Sequence, residues 1–350
     1  MKKILLLIFT LMLTGCLRDG PLLINTSPAT TSSYLDNNVP DLMEENNVAG
    51  LSVAIIQDSK TVIMKSYGYR NVDKNQKNDK DTIFRAASLG KPVFAYIVVH
   101  LAQNGKINLD KPLINYFNKR IVPKDIRSDK ITARMILSHS SGLPNFGHDN
   151  SKLALDFEPG SNFMYSGHGY VYLQKIVENI TQKTLNQLAN EIVFTPLKMH
   201  NSSYIWRENY KNKISLDYDK GMNEYETHNQ TSTGFSAWSL YTSIVDYTKF
   251  VNHIVNNFQT KNSTSTLLLE PNVHVTNEIE WGLGWGLQKT TPHMSFWHWG
   301  SKRGFRHFVV SYPKENISII VMSNSKDAFK MVYEIMVKSI GGSYPSYRWF

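Results

Sequence analysis

Both ends of this chain place apolar residues with the period of a β-strand, and the long stretch between them uses the period of a helix. Leu51 to Gln57 and Thr61 to Gly68 read as two strands of a hairpin around Asp58-Ser59-Lys60. Strand-like runs return at Trp281 to Gln288, Phe296 to Trp299, Phe305 to Tyr312 and Ile317 to Ser323, and a helix at about Ala328 to Ile340 closes the chain. In the middle, Phe94, Ile97, Val98 and Leu101 form one helical stripe, closed by Gly105. Tyr170, Leu173, Ile176, Val177 and Ile180 form a second, and Ile244, Tyr247, Phe250, Val251 and Ile254 a third. Strands at both termini around a helical middle predict an α+β fold: one antiparallel sheet assembled from both ends, with an all-helical subdomain inserted. The α/β part is expected at about 39–85 and 280–345 and the helical part at about 86–279, with the cleft between them as the default site.

The first residues carry a different signal. Met1-Lys2-Lys3 is followed by an apolar run from Ile4 to Leu13, too short to span a bilayer as a stable helix, and then by Leu13-Thr14-Gly15-Cys16. This resembles a bacterial lipobox: residues 1–15 as a signal peptide, Cys16 as the lipidated first residue of the mature chain, and 16–38, rich in Ser, Thr, Asn and Pro, as a flexible tether. The expected location is the bacterial cell envelope, on the extracytoplasmic side of a membrane. Cys16 is the single cysteine, so no intrachain disulfide can form. The formal charge of +9 falls to +7 when Lys2 and Lys3 leave with the signal. Lys302, Arg303 and Arg306 are the densest basic group, too few for a nucleic-acid surface, and no nucleic-acid partner is expected.

Chemistry is carried by Phe84-Arg85-Ala86-Ala87-Ser88-Leu89-Gly90-Lys91. Ser88 and Lys91 are three apart at a helix start, and so share a face. There the helix dipole and unpaired N–H groups stabilise an alkoxide, and a neutral lysine could activate the hydroxyl. The pattern Ser-x-x-Lys also occurs at Ser311 to Lys314 and Ser323 to Lys326, but those matches follow strand-like runs and sit in polar turns. Gly282, Gly284 and Gly286 alternate on an expected strand with no helix after them, which argues against a dinucleotide loop. His293, His298 and His307 fit no zinc spacing, and neither a Gly-x-Ser-x-Gly elbow nor a phosphate loop is present.

Ser88 has company in Val48 to Ala54, in Leu137-Ser138-His139-Ser140-Ser141-Gly142-Leu143-Pro144, in Tyr165-Ser166-Gly167, in Gly282 to Gly286 and in His298-Trp299-Gly300. In that order these segments resemble the serine β-lactamase-like and penicillin-recognising hydrolases, closest to the branch of class C β-lactamases, DD-carboxypeptidases and related esterases. The resemblance runs from about Val39 onward and implies the β-lactamase/transpeptidase-like fold. It also implies cleavage of an amide or ester through an acyl-enzyme, with no metal or organic cofactor. Carried over, it makes Ser88 the nucleophile, Lys91 the proton acceptor or its electrostatic partner, and Tyr165 the other candidate base. The backbone N–H groups of Ser88 and Ser301 would form the oxyanion hole. His298 and Gly300 would line the substrate, with His298 where many relatives carry lysine, and Arg303 or Arg306 would hold a substrate carboxylate. Gly167 departs from the asparagine that usually ends the middle motif. The alternatives are a carboxylesterase of the same fold and a catalytically silent cell-wall-binding lipoprotein.

Overall fold

In the sheet, Leu51, Val53 and Ile55 face one way and Ala54 and Ile56 the other, so period-two alternation gives a strand two apolar faces to cover. The computed structural model describes residues 20–117, 119–145, 153–225, 230–261, 263–290 and 292–349. Its N-terminal strands are β1 (Gly20–Leu22), β2 (Gly50–Gln57), β3 (Lys60–Asn71), β4 (Gln76–Lys77) and β5 (Phe84–Ala87). A short β6 (Leu240–Thr242) precedes the C-terminal strands β7 (Val273–His274), β8 (Ile279–Trp281), β9 (Gly286–Thr290), β10 (His293–Lys302), β11 (Phe305–Tyr312), β12 (Ile317–Ser323) and β13 (Gly341–Gly342). Nine of them form one antiparallel sheet in the order β4-β3-β2-β12-β11-β10-β9-β8-β7. The join between the two termini is the β2 to β12 ladder, from Gln57 opposite Ile317 to Leu51 opposite Ser323. This is the α+β sheet that the change of period predicts.

The helices are α1 (Pro28–Glu45), α2 (Gly90–Gln103), α3 (Ile114–Phe117), α4 (Ala133–Leu137), α5 (Gly167–Thr181), α6 (Leu185–Ala189), α7 (Ile244–Gln259), α8 (Ser263–Leu269) and α9 (Phe329–Ile340). One sheet face packs on α1 and α9 through Leu35, Val39, Met331, Ile335 and their neighbours. The other packs on the helical part through α7, whose stripe of Ile244, Tyr247, Phe250, Val251 and Ile254 is wholly buried. Ser243 caps α7 by accepting from the Asp246 N–H, so the stripe starts where the sequence supplies a cap. The same rule places Thr132 at the start of α4 and gives α6 the full capping box of Thr184 and Gln187.

Two expectations are corrected. The tether does not extend to residue 38: β1 pairs with β13, and α1 begins at Pro28, with Ser27 accepting from the Thr30 N–H as its cap. Its apolar residues, Leu35, Val39 and Met43, are spaced four apart, and the polar composition hid a stripe only one residue wide. Cys16 and the expected signal peptide lie outside the described residues. The run Trp281 to Gln288 is two strands, not one, because Gly282-Leu283-Gly284-Trp285 turns between β8 and β9. Gly284 has φ +81°, its N–H donates to the Leu137 carbonyl, and a Cβ there would lie 2.4 Å from the Ala95 Cβ, so only glycine lets this turn sit on α2.

Candidate active site

Ser88 sits just ahead of the first residue of α2, after Ala87 at φ +50°, a left-handed conformation uncommon for a residue with a side chain. β5 pairs with β6, and this short two-stranded ladder feeds the turn that presents Ser88. The turn is closed by the Leu89 N–H donating to the Ala86 carbonyl and the Lys91 N–H to the Ser88 carbonyl. Two buried phenols, Tyr247 and Tyr204, donate to the Leu89 and Gly90 carbonyls and fix the start of the helix from behind.

Lys91 is 2% exposed, and its Nζ donates to Ser88 Oγ at 3.0 Å and to the Ala237 carbonyl at 2.8 Å. Burial lowers its pKa to about 7, far below that of an ordinary lysine, so the neutral amine is accessible at neutral pH. Its Nζ also lies 4.7 Å from the centre of the Tyr165 ring. Burial has the opposite sign for a phenol and pushes the pKa of Tyr165 up, with Ser88 the group that draws it back. Tyr165 Oη makes no hydrogen bond of ordinary geometry and is sealed from solvent. The pair therefore differs in function: an amine able to take a proton beside a phenol that keeps its own.

Two histidines flank Tyr165. His298 on β10 stacks on Trp299, and its Nδ1–H donates to the Trp299 carbonyl at 2.7 Å, which leaves the Nε2 lone pair buried and without a partner. Burial, with a smaller contribution from Lys91, lowers its pKa to about 3, so the ring is neutral. His139, wholly buried at φ +59°, lies 4.3 Å from the Tyr165 ring centre. Its Nδ1 accepts the Ser166 N–H at 3.0 Å, so Nε2 carries the hydrogen. Burial holds it well below the ordinary pKa of histidine.

From His298 to Lys302, β10 pairs among the described residues only with β11, because β9 begins opposite Trp297, and its other edge lies against the Ser88 turn. A Cβ at Gly300 would lie 2.4 Å from the Ala86 carbonyl oxygen, so this glycine serves close approach of strand and turn. Past Ser301 opens a groove of about 490 Å³ lined by Arg85, Phe235, Trp238, Ser239, Lys302 and Arg303 among others.

The sequence model described as Beta-lactamase matches residues 35–336. The chain belongs to the beta-lactamase family. It is 24% identical over 325 residues to Protein flp of Staphylococcus aureus (strain MW2), covering 84% of this chain and 63% of that protein, and so spans less than two thirds of its length. It is 22% identical over 224 residues to the teichoic acid D-alanine hydrolase of Staphylococcus aureus (strain MRSA252), covering 60% of this chain and 55% of that one. A class C beta-lactamase structure superposes with a TM-score of 0.79 at 18% identity, covering 90% and 97% of the two chains. The octameric penicillin-binding protein homologue from Pyrococcus abyssi gives 0.75 at 22% identity, covering 87% and 77%. At these identities the superpositions speak for the fold.

Within this family member, Ser88, Lys91, Tyr165, His298 and Gly300 converge, and Ser301 follows them on the open edge of β10. The two arginines expected to hold a substrate carboxylate are occupied otherwise. Arg303 donates to the buried Asp217 at 2.6 and 3.0 Å, and Arg306 donates to the Arg303 and Phe305 carbonyls. The three histidines of the C-terminal strands also separate: His293 pairs with Glu315, and His307 contacts the Arg85 carbonyl. Sequence reasoning named His139 only as part of its segment, with no role, and passed over Asn145. Asn145 Oδ1 accepts the Gly167 N–H at 2.9 Å, bringing a carboxamide from another loop to the place where the motif lacks its asparagine. The left-handed φ at His139 has no signature in a single sequence.

Proposed function

We propose that this protein is a serine hydrolase that cleaves an ester through an acyl-enzyme on Ser88. The observation that carries the reading is the 3.0 Å contact between a buried Lys91 amine and the Ser88 hydroxyl, in an environment that holds the amine near pKa 7. As Ser88 Oγ attacks the carbonyl carbon, its proton passes to Lys91 Nζ. The negative charge on the carbonyl oxygen is met by the N–H groups of Ser88 and Ser301. When the bond to the leaving oxygen breaks, that oxygen takes the Tyr165 proton, and the Lys91 ammonium returns a proton to the phenolate. Water then repeats the sequence on the acyl carbon and frees Ser88. The unpaired His298 Nε2 can accept a hydrogen bond from the Tyr165 hydroxyl or from the substrate.

Two features favour an ester over a β-lactam. His298 is neutral, so the third motif offers no cation to a ring carboxylate. Similarity to a teichoic acid D-alanine hydrolase supports the same choice. Treatment with a fluorophosphonate, followed by intact-mass and peptide mapping, should find one adduct, on Ser88. No adduct would sink the proposal and favour a silent binding protein, and an adduct on another residue would sink it in favour of a different nucleophile.

The lipobox-like run before Cys16 supports a place in the cell envelope, anchored by acyl chains. Among the described residues no helix is long and apolar enough to cross a membrane. Cells fed an alkyne fatty acid should label the wild-type protein and not Cys16→Ser, and equal labelling of both would overturn the anchor.

A further inference from the structure

The Tyr165 hydroxyl makes no hydrogen bond of ordinary geometry among the described residues, so its aim is set by what holds its ring and its peptide. His139 does much of both. It follows α4 by two residues in left-handed backbone, φ +59°, and its carbonyl and its ring meet the same segment. The carbonyl accepts the Met164 N–H at 2.8 Å and Nδ1 accepts the Ser166 N–H at 3.0 Å, so the two bonds bracket residue 165. The imidazole packs on the Tyr165 ring, with 4.3 Å between centres and 35° between planes.

The carbonyl bond is open to any residue at this position. The Nδ1 bond and the ring contact belong to histidine. Nδ1 can accept only while the ring is neutral, and burial first, then Lys91 and His298, hold its pKa well below the ordinary histidine value. Tyr170 at 5.1 Å and Trp281 at 5.3 Å also pack on the ring, so it cannot swing off Tyr165 without displacing a packed wall. On the far side Ser166 caps α5 by accepting the Gly169 N–H, which fixes the other end of the segment.

We propose that His139 is a positioning residue: through Nδ1 and its ring it aims the Tyr165 hydroxyl at the leaving oxygen, and so governs the cleavage of esters whose alcohols are poor leaving groups. The assignment rests on the ester-hydrolase reading, in which Tyr165 gives that oxygen its proton. An alkoxide must be protonated as it departs, whereas p-nitrophenolate leaves as the anion. A misaimed Tyr165 slows the first departure and spares the second.

Ethyl butyrate and p-nitrophenyl butyrate share an acyl group and differ in that need. His139→Gly keeps the left-handed turn and removes both ring and acceptor. It should lower kcat/KM about a hundredfold for the ethyl ester and less than about threefold for the aryl ester. His139→Asn, whose Oδ1 can replace Nδ1 as acceptor, should recover about tenfold of that loss. In a Tyr165→Phe background, where no proton is left to aim, neither change at His139 should alter the ratio of the two rates. Each ratio is taken within one protein, so a smaller folded fraction cancels. Equal losses for the two esters, no loss for either, or an effect that persists in Tyr165→Phe would overturn the role while the hydrolase stands. A wild type that turns over the aryl ester alone would do the same. No release from either ester overturns the role too, and joined to the absence of a fluorophosphonate adduct on Ser88 it overturns the hydrolase reading beneath it.

Discussion

Replacing Lys91 by methionine is expected to lower kcat/KM by about a thousandfold or more and, at neutral pH, to make the protein harder to unfold. Activity falls because, among the described residues, no other neutral base touches Ser88: burial keeps the Tyr165 phenol protonated. Stability rises because an amine with a pKa of about 7 when folded and its ordinary 10.5 when unfolded opposes folding wherever the unfolded chain binds the extra proton. The penalty is complete below about pH 7, where it amounts to roughly 5 kcal/mol, and fades as pH rises towards the unfolded value. Leaving the Ala237 carbonyl unpaired offsets about 1–3 kcal/mol of the gain. Urea unfolding at about pH 7 and about pH 10 should therefore show a gain at the first that dwindles at the second. In the wild type, the rate of Ser88 acylation should rise with pH through about 7 as Lys91 loses its proton. A rate that is flat across that range, or a Lys91→Met protein with more than a few per cent of wild-type activity, would remove lysine from the role of base.

Replacing Ser88 by alanine should cut kcat by about ten-thousandfold or more and abolish the fluorophosphonate adduct, with KM for an ester changed little. The other two Ser-x-x-Lys serines cannot stand in for it. Ser311 Oγ is bonded to Ser318 Oγ at 2.6 Å, Ser323 Oγ donates to the Gly50 carbonyl at 2.9 Å, and both are buried in the central sheet. Because Ser88 sits at a turn and not in packed core, the alanine variant should fold, and circular dichroism should match the wild type. Residual turnover at a tenth of the wild-type rate would point to a different nucleophile.

Much of this was legible from residue order because strong local signals agree with the global arrangement. The β2 and β12 runs, the α7 stripe and the Ser88 to Lys91 spacing each rest on a period or an offset, and all three stand in the structure. What escaped depended on three dimensions. β6, three residues long, is too short to show a period, yet it anchors the strand that leads to Ser88. Asp217 belongs to no motif, yet it is buried against Arg303 and Arg85 and occupies Arg303, one of the two arginines expected to meet the substrate. Asn145 and Gly167 are 22 residues apart and meet only after folding. The shifts at Lys91, Tyr165 and His298 follow from burial, which a motif does not record.

Under the proposed lipidation of Cys16, the pairing of β1 with β13 sets how far the body could stray from the membrane. β1 starts at Gly20, four residues beyond Cys16, and four residues pulled straight span about 14 Å. With acyl chains on Cys16, such a leash would keep the enzyme lying on the lipid headgroups, working on what is displayed at that surface and out of reach of polymer further away.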